Sequence, residues 1–253
     1  MDQLEEARAW DDAASGLDTH RHAVVFRIVI VVASVLYVVS QIMAKSGGEP
    51  GGFTLALAVA ELMTTVMAIA GVARFAGRAP RSAASAASLA PMFLIGVALA
   101  QIWVVWISYR IMQFTSAASH TTSMWNMPSI GDLMDQAKIM PYVAIGAGIA
   151  GMVSLLLVLG GIQGVARALN NDALVKRARG MMVAIVILGI GYGAIQRWVT
   201  TGRVNNGAIG ALAMLAVFGI IVLFGYISIL GTASQVMREP AAATLPVAEV
   251  RIG

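Results

Sequence analysis

The chain has no cysteine, which excludes disulfides, thiolate metal sites, iron–sulfur ligation and cysteine nucleophiles together. Charge is scarce as well: Asp, Glu, Lys and Arg supply 12% of 253 residues and apolar residues 58%, against roughly 25% and 45–50% in soluble domains. With a mean hydropathy of +0.80, this is the composition of a membrane protein. Catalytic signatures are missing too, since there is no HExxH pair, no GxSxG elbow and no P-loop. Gly189-Ile190-Gly191-Tyr192-Gly193 falls mid-helix with no strand before it, so a nucleotide loop fails on context. No apolar segment contains Asp or His, which removes haem ligation by paired helix histidines. No cofactor is expected, and His20 and His22 read as solvated side chains flanking Arg21.

What is present is six apolar stretches, at about 23–44, 53–75, 89–112, 140–168, 180–200 and 207–236, each near or above the roughly 20 residues that cross a bilayer core. In lipid the backbone must satisfy its own hydrogen bonds, and no strand-type alternation is visible, so an all-α polytopic bundle of six transmembrane helices is expected. A membrane domain over 23–237 would then lie between an acidic cytosolic tail, 1–22, and a second cytosolic tail, 238–253. Leu4, Ala7, Ala14 and Leu17, with Trp10 nearby, give the first tail a short amphipathic helix; a frayed acidic tail is the competing reading. Pro240 and Pro246 mark the second as extended.

Orientation follows from Lys and Arg. The 2–3 connection holds Arg74, Arg78 and Arg81, and the 4–5 connection Arg167, Lys176, Arg177 and Arg179. The positive-inside rule places this basic face and both termini in the cytoplasm. Arg greatly outnumbers Lys and Ala and Gly abound, which points to a GC-rich bacterial genome and hence an inner membrane. The positives are not interleaved with aromatics, so the lipid bilayer and other membrane subunits are the expected partners and nucleic acid is not. Facing the acidic tail, the basic face either forms a soft clamp or merely sets topology and touches anionic lipid; the second is favoured.

The outer loop, 113–139, should carry a short interfacial helix from Ser129 to Lys138, with Pro141 in the first turn of segment four. Its His120, Met124 and Met127 suit Cu(I) in principle. Met is also an ordinary packing residue and one His is too few, so copper is the weakest reading and no metal site is expected.

Three segments end in related hexamers, Ile69 to Arg74, Ile162 to Arg167 and Ile229 to Ser234, and the helix before each carries Gln41, Gln101 or Gln196. Three parallel helical hairpins would produce this pattern. Short matches are common in a chain rich in Ala, Gly and Ile, and Gln101 sits nearer mid-helix than the other two.

Glu61 is the one carboxylate deep in an apolar segment. It breaks the hairpin pattern, because Ser154 and Ile221 occupy its place in the other two. Packing competes with a proton or cation relay, with Thr64, Thr65, Gln101, Tyr192, Arg110 or Arg197 as its partners. Gln41, Gln101, Gln163 and Gln196 read first as packing glue, and Ala147/Gly151, Gly160/Gly164 and Gly189/Gly193 as close-approach points of helices four and five. The expected function is a non-enzymatic integral subunit or scaffold of an inner-membrane assembly. A small-solute or ion transporter component using Glu61 comes second, and a membrane enzyme last.

Overall fold

Six long helices and one 3-10 turn hold nearly all of the described backbone, which in the computed structural model comprises residues 3–44, 51–79, 85–119, 130–200 and 206–244. In chain order they are α1 (Gln3–Ala44), α2 (Gly51–Arg78), the 3-10 turn Ala87–Leu89, α3 (Ala90–Ser119), α4 (Ile130–Ala168), α5 (Asp172–Thr200) and α6 (Asn206–Thr244). Among the described residues there is no strand, as the all-α expectation required. Four stretches, Gly52–Arg78, Ala87–Gln113, Lys138–Ala168 and Val217–Glu239, are long and apolar enough to cross a bilayer. Only 17% to 33% of each apolar window is buried inside the protein. Large side chains such as Met63, Leu99 and Met214 are therefore mostly exposed, an arrangement costly in water and natural among lipid tails. The chain is a multi-pass membrane protein.

Several helices outrun their apolar segments. Residues 3–22 are the first half of α1, which at 42 residues is about twice the length a bilayer requires. The helix expected over 129–138 is continuous with α4, which places Pro141 well inside that helix rather than in its first turn. Likewise α6 passes through Pro240 as far as Thr244. A lone proline removes one ladder hydrogen bond, and the strong helix formers that follow, Ala241 to Ala243, restore the backbone geometry.

The chain divides into two compact units. Unit 1 comprises Met1–Arg21, Ala70–Pro91 and Met152–Gly253, and unit 2 comprises His22–Ile69 and Met92–Gly151. Unit 1 is cored by large side chains: Leu17, Phe75, Leu159, Ile162, Leu174, Tyr226, Leu230 and Met237 are all fully buried. In its α1 segment, Ala7, Trp10, Ala14 and Leu17 recur at three and four residues and are buried, which is the spacing of one helical face. In unit 2 the buried set is smaller, with Ala23, Val24, Ala68, Leu94, Val97, Ala98 and Ile107 joined by the polar Thr64, Thr65, Gln101 and Ser108.

One crossing in unit 1 has no room for side chains. A Cβ added at Gly16 would lie 2.5 Å from the Phe75 nitrogen and 2.7 Å from the Gly71 carbonyl oxygen, and one at Gly71 would lie 2.6 Å from the His20 nitrogen. Backbone meets backbone there, so only glycine fits at either position. The α4–α5 turn uses two asparagines differently. Asn170 takes a positive φ of 53°, a conformation Asn tolerates better than most residues. This allows the Asn171 N–H to donate to the Ala166 carbonyl (2.8 Å) and the Asn170 N–H to the Arg167 carbonyl (3.1 Å), closing α4 in a Schellman motif. Asn171 Oδ1 then accepts the Leu174 N–H at 3.0 Å, capping α5. That cap starts α5 at Asp172, before the apolar segment expected from residue 180.

Candidate functional site

The polar groups of unit 1 gather around the first half of α1. Asp12 accepts a hydrogen bond from Arg74 at 2.6 Å and lies 3.8 Å from Arg78. The Arg74 hydrogen bond is the main reason its carboxyl is held below the ordinary 3.8, with the charges of Arg74 and Arg78 adding and desolvation opposing. On α6, Arg238 donates to Asp18 at 2.7 Å and sits 3.4 Å from Asp11. Asp11, Asp12 and Asp18 thus pair with cations of α2 and α6. Half-exposed ion pairs of this kind set register more than they add stability.

Two residues beyond Asp18 lies His20, which is 2% exposed. This overturns the expectation of a solvated side chain. Its Nε2 is 2.9 Å from the Tyr226 hydroxyl, and the two rings meet edge to face, 5.9 Å apart at 88°. Nδ1 is buried without a hydrogen-bond partner. Burial pushes the His20 pKa from 6.5 down to about 4, so the imidazole is neutral near pH 7. A signal for it exists in the sequence: continuing the buried series Trp10, Ala14, Leu17 by three residues reaches His20.

The expected basic face separates into two groups. Arg74 and Arg78 are bound to Asp12, and Arg81 lies outside the described residues. Arg167, Lys176, Arg177 and Arg179 are exposed; none has an ion pair among the described residues, and Arg177 reaches only the Ser228 hydroxyl, at 3.5 Å.

In unit 2, Glu61 is half-buried on α2. The Thr64 and Thr65 hydroxyls bond its backbone carbonyl, at 2.8 and 3.1 Å, and not its carboxylate. Gln101 is 8% exposed and its Oε1 is buried without a partner. Arg110, a candidate neutraliser of Glu61, has its guanidinium 5.2 Å from the centre of the Trp106 ring, a cation–π geometry. Among the described residues nothing unites Glu61, Gln101 and Arg110 into one cluster. Gln41 and Gln196 have described backbone only, and His120, Met124 and Met127 lie outside the described residues. Among the described residues no group of three His, Asp or Glu could hold a metal.

The close-approach glycines divide as well. Gly189 packs on Met152, and Gly160 on Ala86 and Met182, whereas a Cβ at Gly151 or Gly193 would meet nothing within 4 Å. Helices α4 and α5 thus touch at one end of the small-residue series. Gln163 is a packing group, its amide donating to the Met182 sulfur at 3.0 Å.

Two of the three hexamer glycines receive α1, Gly71 against the backbone at Gly16 and His20, and Gly231 against the Arg21 guanidinium. The arrangement can therefore lock helices together. No protein-family model, no curated protein and no solved structure matches this chain.

Proposed function

We propose that the protein is a non-enzymatic integral subunit or scaffold of a bacterial inner-membrane assembly, crossing the membrane six times with both termini in the cytoplasm. The observation that carries this reading is the use of polar groups in unit 1. Asp12, Asp18, His20, Tyr226, Arg74 and Arg238 bond to one another across α1, α2 and α6 rather than converging on space for a solute. The outward apolar faces supply lateral surface for lipid or for other membrane subunits. The test is a mild-detergent pull-down of the tagged protein followed by quantification of co-purifying membrane proteins. Stoichiometric partners are expected; a protein that purifies alone overturns the reading.

A second reading is a transporter component using Glu61. The half-buried Glu61 and the unpartnered Gln101 Oε1 in the same unit favour it. Flux in proteoliposomes that disappears in Glu61→Gln would establish it in place of the scaffold.

A further inference from the structure

The unpaired cations of α5 stand on a definite face. Lys176, Arg179, Val183, Val186 and Ile190 follow at intervals of three and four, so they form one stripe of the helix. All five are exposed, with Ile190 at 69%. The opposite stripe, Leu174, Ala178 and Ile185, is buried and packs in unit 1, where α5 lies against α6. The exposed stripe therefore changes from cationic to apolar at Gly180, where a Cβ would meet nothing within 4 Å. At about 1.5 Å per residue, Arg179 lies roughly 6 Å along the axis from Val183. The last cation of the stripe therefore stands about one helical turn from its first apolar side chain.

We propose that this stripe of α5 binds an anionic phospholipid, its phosphate held by Lys176 and Arg179 and its acyl chain lying along Val183, Val186 and Ile190. Most of the other described cations are differently placed: Arg74 and Arg78 share Asp12, Arg238 pairs with Asp18 and Asp11, and the exposed Arg167 stands at the end of α4 rather than on this stripe. Arg177 points off the stripe to Ser228. The nearest carboxylate along the helix, Asp172, is exposed one turn before Lys176 on the same face; it lies on the side of the cations away from Val183, in the first turn, where it complements the helix dipole.

The proposal rests on α5 entering the bilayer, and the cysteine-free sequence allows that premise to be tested separately. Single cysteines at Val183 and Ile190 should resist a membrane-impermeant maleimide; labelling at both overturns the membrane placement of α5 itself. Lipid binding is then measured on the full chain in detergent by native mass spectrometry, titrating phosphatidylglycerol against phosphatidylcholine. Retention of phosphatidylglycerol over phosphatidylcholine is expected, with binding about thirtyfold weaker in the Lys176→Gln/Arg179→Gln double variant, at about fivefold per cation. Equal retention of both lipids, wild-type binding by the double variant, or full displacement by inorganic phosphate would each overturn it. Arg74→Gln serves as the contrast: a folded Arg74→Gln protein that loses the lipid equally would show that the α5 stripe is not the site.

Discussion

Unit 1 and unit 2 are built from similar helices and hold themselves together differently. In unit 1, large side chains such as Leu17, Phe75 and Tyr226 are fully buried, glycine backbones touch, and aspartates meet arginines. In unit 2, the buried positions of α2 and α3 include Thr64, Thr65, Gln101 and Ser108, while Met63, Met92 and Leu99 point outward. Lipid is as apolar as leucine, so burying leucine between membrane helices gives little driving force there. Close packing and polar pairing are what distinguish a unique arrangement from an unspecific one. Unit 1 has all of these devices, and its acidic first segment is an integral part of it rather than an appendage.

The largest test of this contrast is at the glycine crossing. Gly71→Val should abolish recovery of monodisperse protein in detergent, because the new side chain would collide with backbone at His20 and Gly16, which cannot rotate away. Gly146→Val in unit 2, where a Cβ meets nothing within 4 Å, should leave recovery and melting temperature nearly unchanged. Equal effects at both positions would erase the distinction. Next in size is Trp10→Ala, which removes a buried aromatic and should cost about 3–5 kcal/mol in thermal or denaturant unfolding. Leu99→Ala, at a site 63% exposed, should cost less than about 1 kcal/mol.

A further test is pH-dependent. His20 is held at a pKa of about 4 in the folded chain against an ordinary 6.5, so between these values the unfolded chain binds more protons. Stability should be full above pH 6.5, decline on the order of 3 kcal/mol as pH falls to about 4, and then stop responding to this group. His20→Gln should flatten that slope in melts recorded from pH 7.5 to 4. A slope that survives the substitution would assign it to other residues.

Much of this was legible in the sequence, for specific reasons. Six apolar stretches and the scarcity of charge gave the helical membrane class, because a bilayer admits few alternatives. The repeat of Ala7, Trp10, Ala14 and Leu17 pointed to an apolar face of α1, whereas the pairing of Asp12 with Arg74 and Arg78 is the clamp that ranked second to topology and lipid contact as an expectation, because opposite charges on one side of a membrane do not say which of them meet. His20 was misread because its neighbours Arg21 and His22 are polar and exposed, while its own partner, Tyr226, is 206 residues away. The helical passage through Pro141 and Pro240 was missed because proline biases a helix toward ending without compelling it. Whether Glu61 and Gln101 share a chemistry was not legible, since no periodicity says which polar groups on different helices meet.

The long sequence separations in unit 1 also order its assembly during synthesis. Asp12 meets Arg74 after 62 residues, but Asp18 must wait 220 residues for Arg238 and His20 waits 206 for Tyr226. At roughly 5–20 residues per second, the newborn first helix spends on the order of 10 to 40 s with one flank on α2 and the other still uncovered.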